Sequence, residues 1–209
     1  MKPKFFESRY WNSPPREPHG DVGAEQIYQA VGTALSQWEQ IESILGEAFA
    51  TFVESNSPAA QRAYGSIISA VGRCSALNSA ASIFFDLHPE KEKQPYTEAL
   101  KAVEFASARR NEIAHGVVKI FATPETIGGG YYLLPPDYNS RKTEPSISFP
   151  TDETLDPFAW TSFSYAYTSQ QILDFTKRFQ NLERIAFNMA RGLSSKPPSY
   201  STPPSGEAK

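Results

Sequence analysis

The sequence predicts a mostly α fold, a four-helix bundle with a small β-hairpin or sheet inserted before the last helix. Three observations predict it. Long stretches repeat apolar residues at steps of three and four, the rhythm of a helix with one buried face. One β-branched and aromatic stretch, interrupted by glycines, breaks that rhythm late in the chain. The 209 residues are 40% hydrophobic, which suffices for one sizeable core.

The first periodic stretch, 24–54, sets Ile27, Val31, Ala34, Trp38, Ile41, Leu45, Phe49 and Phe52 on one stripe, with Glu39 and Glu42 beside it. "SNSP" at 55–58 closes that helix and caps the next. Residues 58–87 read as one second helix, with Tyr64, Ile67, Ile68, Val71 and Phe85 sharing a face with Ser75, Asn78 and Ser82. Gly72 and the small residues admit a close neighbour, and Asn78 on that face calls for a hydrogen-bond partner. A third helix spans about 95–115, with Pro95 in its first turn and Gly116 just past its end, where a left-handed residue is expected.

The pattern then changes. "VVKIFAT" (117–123) and "GYYLLPP" (130–136) read as a hairpin around a Gly-rich loop. Residues 137–157 carry no predicted structure, and "TSFSYAY" (161–167) alternates as a third strand. Thr168 or Ser169 caps the last helix, whose stripe is Ile172, Phe175, Phe179, Leu182, Ile185 and Met189. The expected organisation is an irregular Pro- and aromatic-rich arm over 1–20 and a helical domain over 21–192, with its β insertion at about 117–167. A disordered Pro/Ser-rich tail follows over 193–209. The arm's Phe5, Phe6, Tyr10 and Trp11 either dock on the domain or serve a partner.

Composition excludes several classes. The net charge of −3 argues against a broad electrostatic nucleic-acid binder, though not against a local site for one phosphate. A single cysteine, Cys74, rules out an internal disulfide and suits a reducing cytoplasm. No apolar run approaches a membrane span, and the N-terminus lacks a signal-peptide core. The three histidines have no matching carboxylate spacing, so neither metal nor other cofactor is expected.

The chemistry concentrates in "RRNEIAHG", 109–116. On a helical wheel Arg110 falls in the middle of the apolar arc of the third helix, among the directions of Ala99, Val103, Ala106 and Ile113. Arg109 and Glu112 fall away from that arc and are expected to be solvated. Asn111 and His115, four residues apart, share one shoulder. Arginine cannot shed its charge on burial, and an unpaired guanidinium in a dry core costs several kcal/mol. Arg110 therefore either pairs internally, with Glu39 or Glu42, or lines a cleft or subunit interface where it meets an anion. His115 ends its helix where the macrodipole favours a cation. The ordinary titration range of histidine suits acid–base work.

"RNEIAH", an arginine followed by a polar residue and then a histidine, late in the third long helix, resembles the R-x4–6-H motif of HEPN domains. "WEQIESILGEAF" and "YTSQQILDFTKRFQNLERIAF" resemble the first and last helices of such domains, and the likeness spans roughly 24–192. It implies a HEPN-like bundle and a metal-independent endoribonuclease that leaves a 2′,3′-cyclic phosphate. It implies catalytic roles for Arg110 on the scissile phosphate, His115 as general acid or base and Asn111 as an orienting group. It further implies a homodimer through the motif helix, an RNA substrate, and a toxin–antitoxin or antiphage setting with an antitoxin or nucleotidyltransferase partner. Two alternatives stand beside it: a non-catalytic HEPN-like module that binds a partner or nucleotide, and a purely structural bundle with Arg110 in an internal ion pair.

Overall fold

A computed structural model describes residues 6–55, 57–121, 129–136 and 163–194. Among these, five α-helices and a two-stranded antiparallel sheet follow a 3-10 turn at Ser8–Trp11. The helices are α1 (Ala24–Phe52), α2 (Pro58–Gly65), α3 (Ala70–Leu87), α4 (Lys93–His115) and α5 (Ser169–Ser194). Strands β1 (Val117–Phe121) and β2 (Gly130–Leu134) lie between α4 and α5, paired from Val117 opposite Leu134 to Phe121 opposite Gly130. No helix among the described residues is long and apolar enough to cross a membrane. The fold is thus mostly helical, with a small sheet before the last helix.

The stripe read from α1 builds the core. Ile27, Ala34, Trp38, Ile41, Leu45 and Phe52 are buried, with Val31 and Phe49 packed at the margin. α1 packs chiefly along α5, where Trp38 meets Phe179 edge-on at 5.3 Å between ring centroids. The arm docks on this pair: Trp11 is buried and stacks on Phe179 at 6.0 Å, and the Arg178 guanidinium donates to the Tyr10 carbonyl at 2.6 Å. Phe5 lies outside the described residues.

The single helix expected over 58–87 is two helices. Ser57 caps α2 by accepting from the Ala59 amide, and Ser69 caps α3 by accepting from the Gly72 amide at 3.0 Å. A serine that satisfies its own chain's amides starts a helix rather than continuing one. Arg73 then secures the break, donating from Nε to the Ile67 carbonyl at 2.8 Å. The break turns Ile68 and Val71 outward, 98% and 81% exposed, so they do not share the buried face of Phe85. Asn78 has the partner expected of it, the Tyr96 hydroxyl at 3.2 Å, but is itself exposed.

Gly116 is extended (φ −68°, ψ 156°), not left-handed. Glycine is needed for another reason. A Cβ there would lie 2.6 Å from Leu133 Cγ and 2.9 Å from the Glu112 carbonyl oxygen, so β2 approaches the end of α4 only over a bare backbone. Gly20 and Gly130 pack backbone to backbone in the same way, a Cβ on Gly130 falling 2.5 Å from Gly20 Cα. Gly130→Ala is expected to lower stability by about 1–3 kcal/mol through overpacking against main chain that cannot give way, read from a urea unfolding curve.

The third strand expected over 161–167 is a single bridge. Tyr167 exchanges both backbone hydrogen bonds with Leu133, at 2.8 and 3.0 Å; the Tyr165 and Tyr167 side chains turn to α4, while Phe163 and Ala166 pack with Tyr132 and Leu134. Residues 161–162, the loop 122–128, the stretch 137–157 and the tail beyond 194 lie outside the described residues. α5 begins as expected. Thr168 Oγ1 accepts from the Gln171 amide and Gln171 Oε1 accepts from the Thr168 amide, at 3.4 and 3.2 Å, a reciprocal cap. Asp21 adds a second anchor, accepting from the Ser169 amide at 2.7 Å. Thr168→Ala is expected to cost about 1 kcal/mol, measurable as a lower melting temperature.

Candidate functional site

The last two turns of α4 carry Arg109, Arg110, Asn111, Glu112 and His115. The turn is held from one side by a polar cluster. Arg109 Nη2 pairs with Glu112 Oε1 at 2.9 Å, and the two side chains are only 15% and 23% exposed. The Tyr167 hydroxyl donates to Glu112 Oε2 at 2.5 Å and lies 3.0 Å from Ser13 Oγ. Arg109 Nη1 reaches the same Ser13 and the Tyr167 hydroxyl. The Tyr165 hydroxyl donates to the Glu112 carbonyl at 3.1 Å, and its ring stacks on that of Tyr167 at 4.9 Å.

Arg109 and Glu112 were expected in solvent and are instead largely covered. A wheel of α4 alone places them outside the arc that faces the other helices. The arm at Ser13 and the segment at 163–167 cover that side, and both are distant in sequence. Burial pushes the Glu112 carboxyl above its usual range, against the opposing pull of the Tyr167 hydrogen bond and the Arg109 charge. The Tyr167 hydroxyl is pushed up as well, by burial first and by its bond to Glu112 second. Tyr165 and Tyr167 were not marked as site residues. Their signal was the alternation of "TSFSYAY", which sets Phe163, Tyr165 and Tyr167 on one face.

Arg110 lies on the opposite margin of α4, half-buried against α1. Its Nη2 is 3.9 Å from Glu39 Oε1, a carboxylate whose side chain is 64% exposed. Its Nη1 donates to the neighbouring Asn111 Oδ1 at 3.2 Å. Its Nε is buried and finds no acceptor among the described residues. Of the two acids considered as partners, Glu42 is taken: it pairs with Arg73 Nη1 at 3.0 Å and accepts from Trp38 Nε1 at 3.1 Å. Glu39 is the contact, and it is a loose one. The long stem lies along the apolar arc and carries the charged head to the helix boundary.

Asn111 and His115 are both exposed. Among the described residues the His115 imidazole makes no side-chain hydrogen bond. The site is thus a guanidinium with donors to spare, an amide bonded to it, and an imidazole on the helix end, all within six residues. Arg110 and His115, five residues apart, point about 140° apart around the helix, so they share the helix end but not one face.

The fold and site define a helical bundle whose fourth helix ends in a cationic and imidazole-bearing turn. No family model matches the chain, and neither a curated protein nor a solved structure matches it.

Proposed function

We propose that this chain is a metal-independent endoribonuclease of the HEPN type. The observation that carries the reading is the state of Arg110: a half-buried guanidinium whose only acidic contact among the described residues is a loose one at 3.9 Å to an exposed glutamate. A phosphodiester can displace that contact at little cost, since an exposed ion pair is worth at most about 1 kcal/mol. In the reaction Arg110 neutralises the charge that grows on the phosphate as the substrate's own 2′-hydroxyl attacks. His115 takes the 2′-hydroxyl proton or supplies one to the departing 5′-oxygen. The P–O5′ bond breaks as the P–O2′ bond forms, leaving a 2′,3′-cyclic phosphate and a 5′-hydroxyl. A second protomer, with its motif helix against the first, supplies the other proton-transfer histidine. An antitoxin or nucleotidyltransferase partner and a defence role belong to the same reading.

The test is incubation of the purified chain with single-stranded and structured RNA in EDTA, beside His115→Ala. Cleavage that leaves cyclic-phosphate ends and disappears in the variant supports the enzyme. Equal cleavage by both proteins, or none by either across many RNAs, removes it. A second reading, a non-catalytic HEPN-like module that binds a partner or nucleotide, draws on the net charge of −3, an acidic balance for a protein that must grip RNA. It predicts binding to this face, abolished by Arg110→Ala, with no strand scission.

A further inference from the structure

The net charge of −3 hides a segregation. α1 carries four glutamates and no lysine or arginine. α5 carries Lys177, Arg178, Arg184 and Arg191 against Asp174 and Glu183. Arg178 turns inward, between Tyr10 and Phe175. The other three cations do not.

The outer face of α5 reads Gln170, Leu173, Lys177, Gln180, Arg184, Phe187 and Arg191, each exposed and spaced alternately by three and four residues. The three cations recur every seventh residue and so form one line, about 21 Å from first to last at 1.5 Å per residue. Arg184 and Arg191 have no ion pair among the described residues, and Arg184 has only a long contact to Asn181 at 3.5 Å. Lys177 is the exception, bound to Asp174 at 2.9 Å. Glu183, the other acid of the helix, is drawn aside by Gln37 at 2.6 Å. Leu173 stands just before the first cation and Phe187 between the last two, 36% and 48% exposed. The Arg191 guanidinium lies over the Phe187 ring at 5.9 Å.

Core packing does not call for this line, though Arg191 in the last turn suits the helix macrodipole. The core face of α5 is already filled by Ile172, Phe175, Phe179 and Leu182. Cations about 10 Å apart on one helix repel only weakly in water, and a polyanion laid along the row meets each of them in turn. Cations at regular intervals match a phosphate backbone, and a half-exposed ring with a guanidinium over it offers a stacking platform. Only an unpaired base can use that platform, because bases in a duplex have their faces covered.

We propose that the outer face of α5 docks single-stranded RNA, with Lys177, Arg184 and Arg191 on phosphates and Phe187 under a base. This surface is separate from the end of α4, and the inference does not depend on the cleavage chemistry.

The test is fluorescence anisotropy of a labelled 20-nucleotide single-stranded RNA with the full chain carrying His115→Ala, so that binding is read without cutting. Adding Lys177→Gln, Arg184→Gln and Arg191→Gln together is expected to weaken binding at least tenfold. It should also lower the slope of log affinity against log salt by about 2, at roughly 0.7 per phosphate contact. Phe187→Ala should weaken binding about tenfold with the salt slope unchanged. A duplex of the same sequence should compete poorly. All four side chains are exposed, so the variants should melt with the parent. Unchanged affinity and slope in the triple variant overturn the proposal. So does tighter binding to vesicles containing phosphatidylserine than to RNA, which would make the face a membrane contact. If RNA binds through this face but the parent never cleaves it, the nuclease reading falls and this one stands. If the parent cleaves and the triple variant binds as before, the reverse holds.

Discussion

Arg110→Ala should reduce RNA cleavage by about 10²–10³-fold, the usual loss when one transition-state charge stabiliser is removed, while the melting curve hardly moves. The two halves of that result come from the same geometry. The guanidinium head sits at the α4–α1 boundary, 3.9 Å from a glutamate that is itself mostly in water. Losing such a pair costs about 1 kcal/mol or less. Were Arg110 a buried structural cation, its removal would strand a carboxylate and cost about 3–5 kcal/mol. Parallel measurements of cleavage rate and thermal unfolding therefore separate a catalytic arginine from a structural one. Arg110→Lys refines the test. It keeps the charge but loses the planar fork that grips two phosphate oxygens, so activity should return only in part. A drop in stability of several kcal/mol in Arg110→Ala would return the chain to the structural-bundle reading.

Its neighbour should behave in the opposite way. Arg109→Ala is expected to destabilise the fold by about 3 kcal/mol near neutral pH, the scale for breaking a covered ion pair by removing one partner. The variant leaves Glu112 facing only the Tyr167 hydroxyl, with burial already holding its carboxyl above the usual range. The pH dependence follows from that direction. A carboxyl whose folded pKa is raised binds its proton more tightly in the folded state than in the unfolded one. Its ionisation therefore weakens the fold as pH rises from the unfolded value through the folded one, and protonation restores what was lost. Removing Arg109 raises the folded value further. The gap between Arg109→Ala and the parent should thus be widest at pH 8 and narrow towards pH 5, as read from urea midpoints at the two pH values. A gap that does not change with pH would mean that Glu112 finds another cation or reaches water.

The contrast between adjacent arginines shows where sequence reading stops. On a wheel of α4 alone, Arg110 points into the core and Arg109 points away. Arg109 is nonetheless the more covered of the two. Ser13, 96 residues before it, and Tyr167, 58 residues after it, close over the outer side of the helix. Periodicity within one helix carries no information about segments that arrive from elsewhere. Arg110, for its part, escapes full burial because its stem is long enough to reach the boundary. The break at Ser66–Ser69 was a subtler miss: its signal was a serine three residues before Gly72, competing with an apolar rhythm that ran straight through. Gly116 was read as a left-handed residue past the helix end and is extended instead; glycine is required there by Leu133 across the sheet and not by its own φ angle.

Local pattern by itself determined the long first, third and last helices, the stripes of α1 and α5 and the hairpin, because each depends on neighbours within a few residues; that the arm docks, and that 58–87 is two helices, came from the structure. Local pattern also placed a cation and an imidazole together at one helix end. Only the tertiary structure decided which arginine is held and which has donors to spare, where the acids of α1 are spent, and that the cations of α5 form an outward line. Those outcomes depend on which distant segments cover which side of a helix, and coverage sets the dielectric and the partners that a charge experiences.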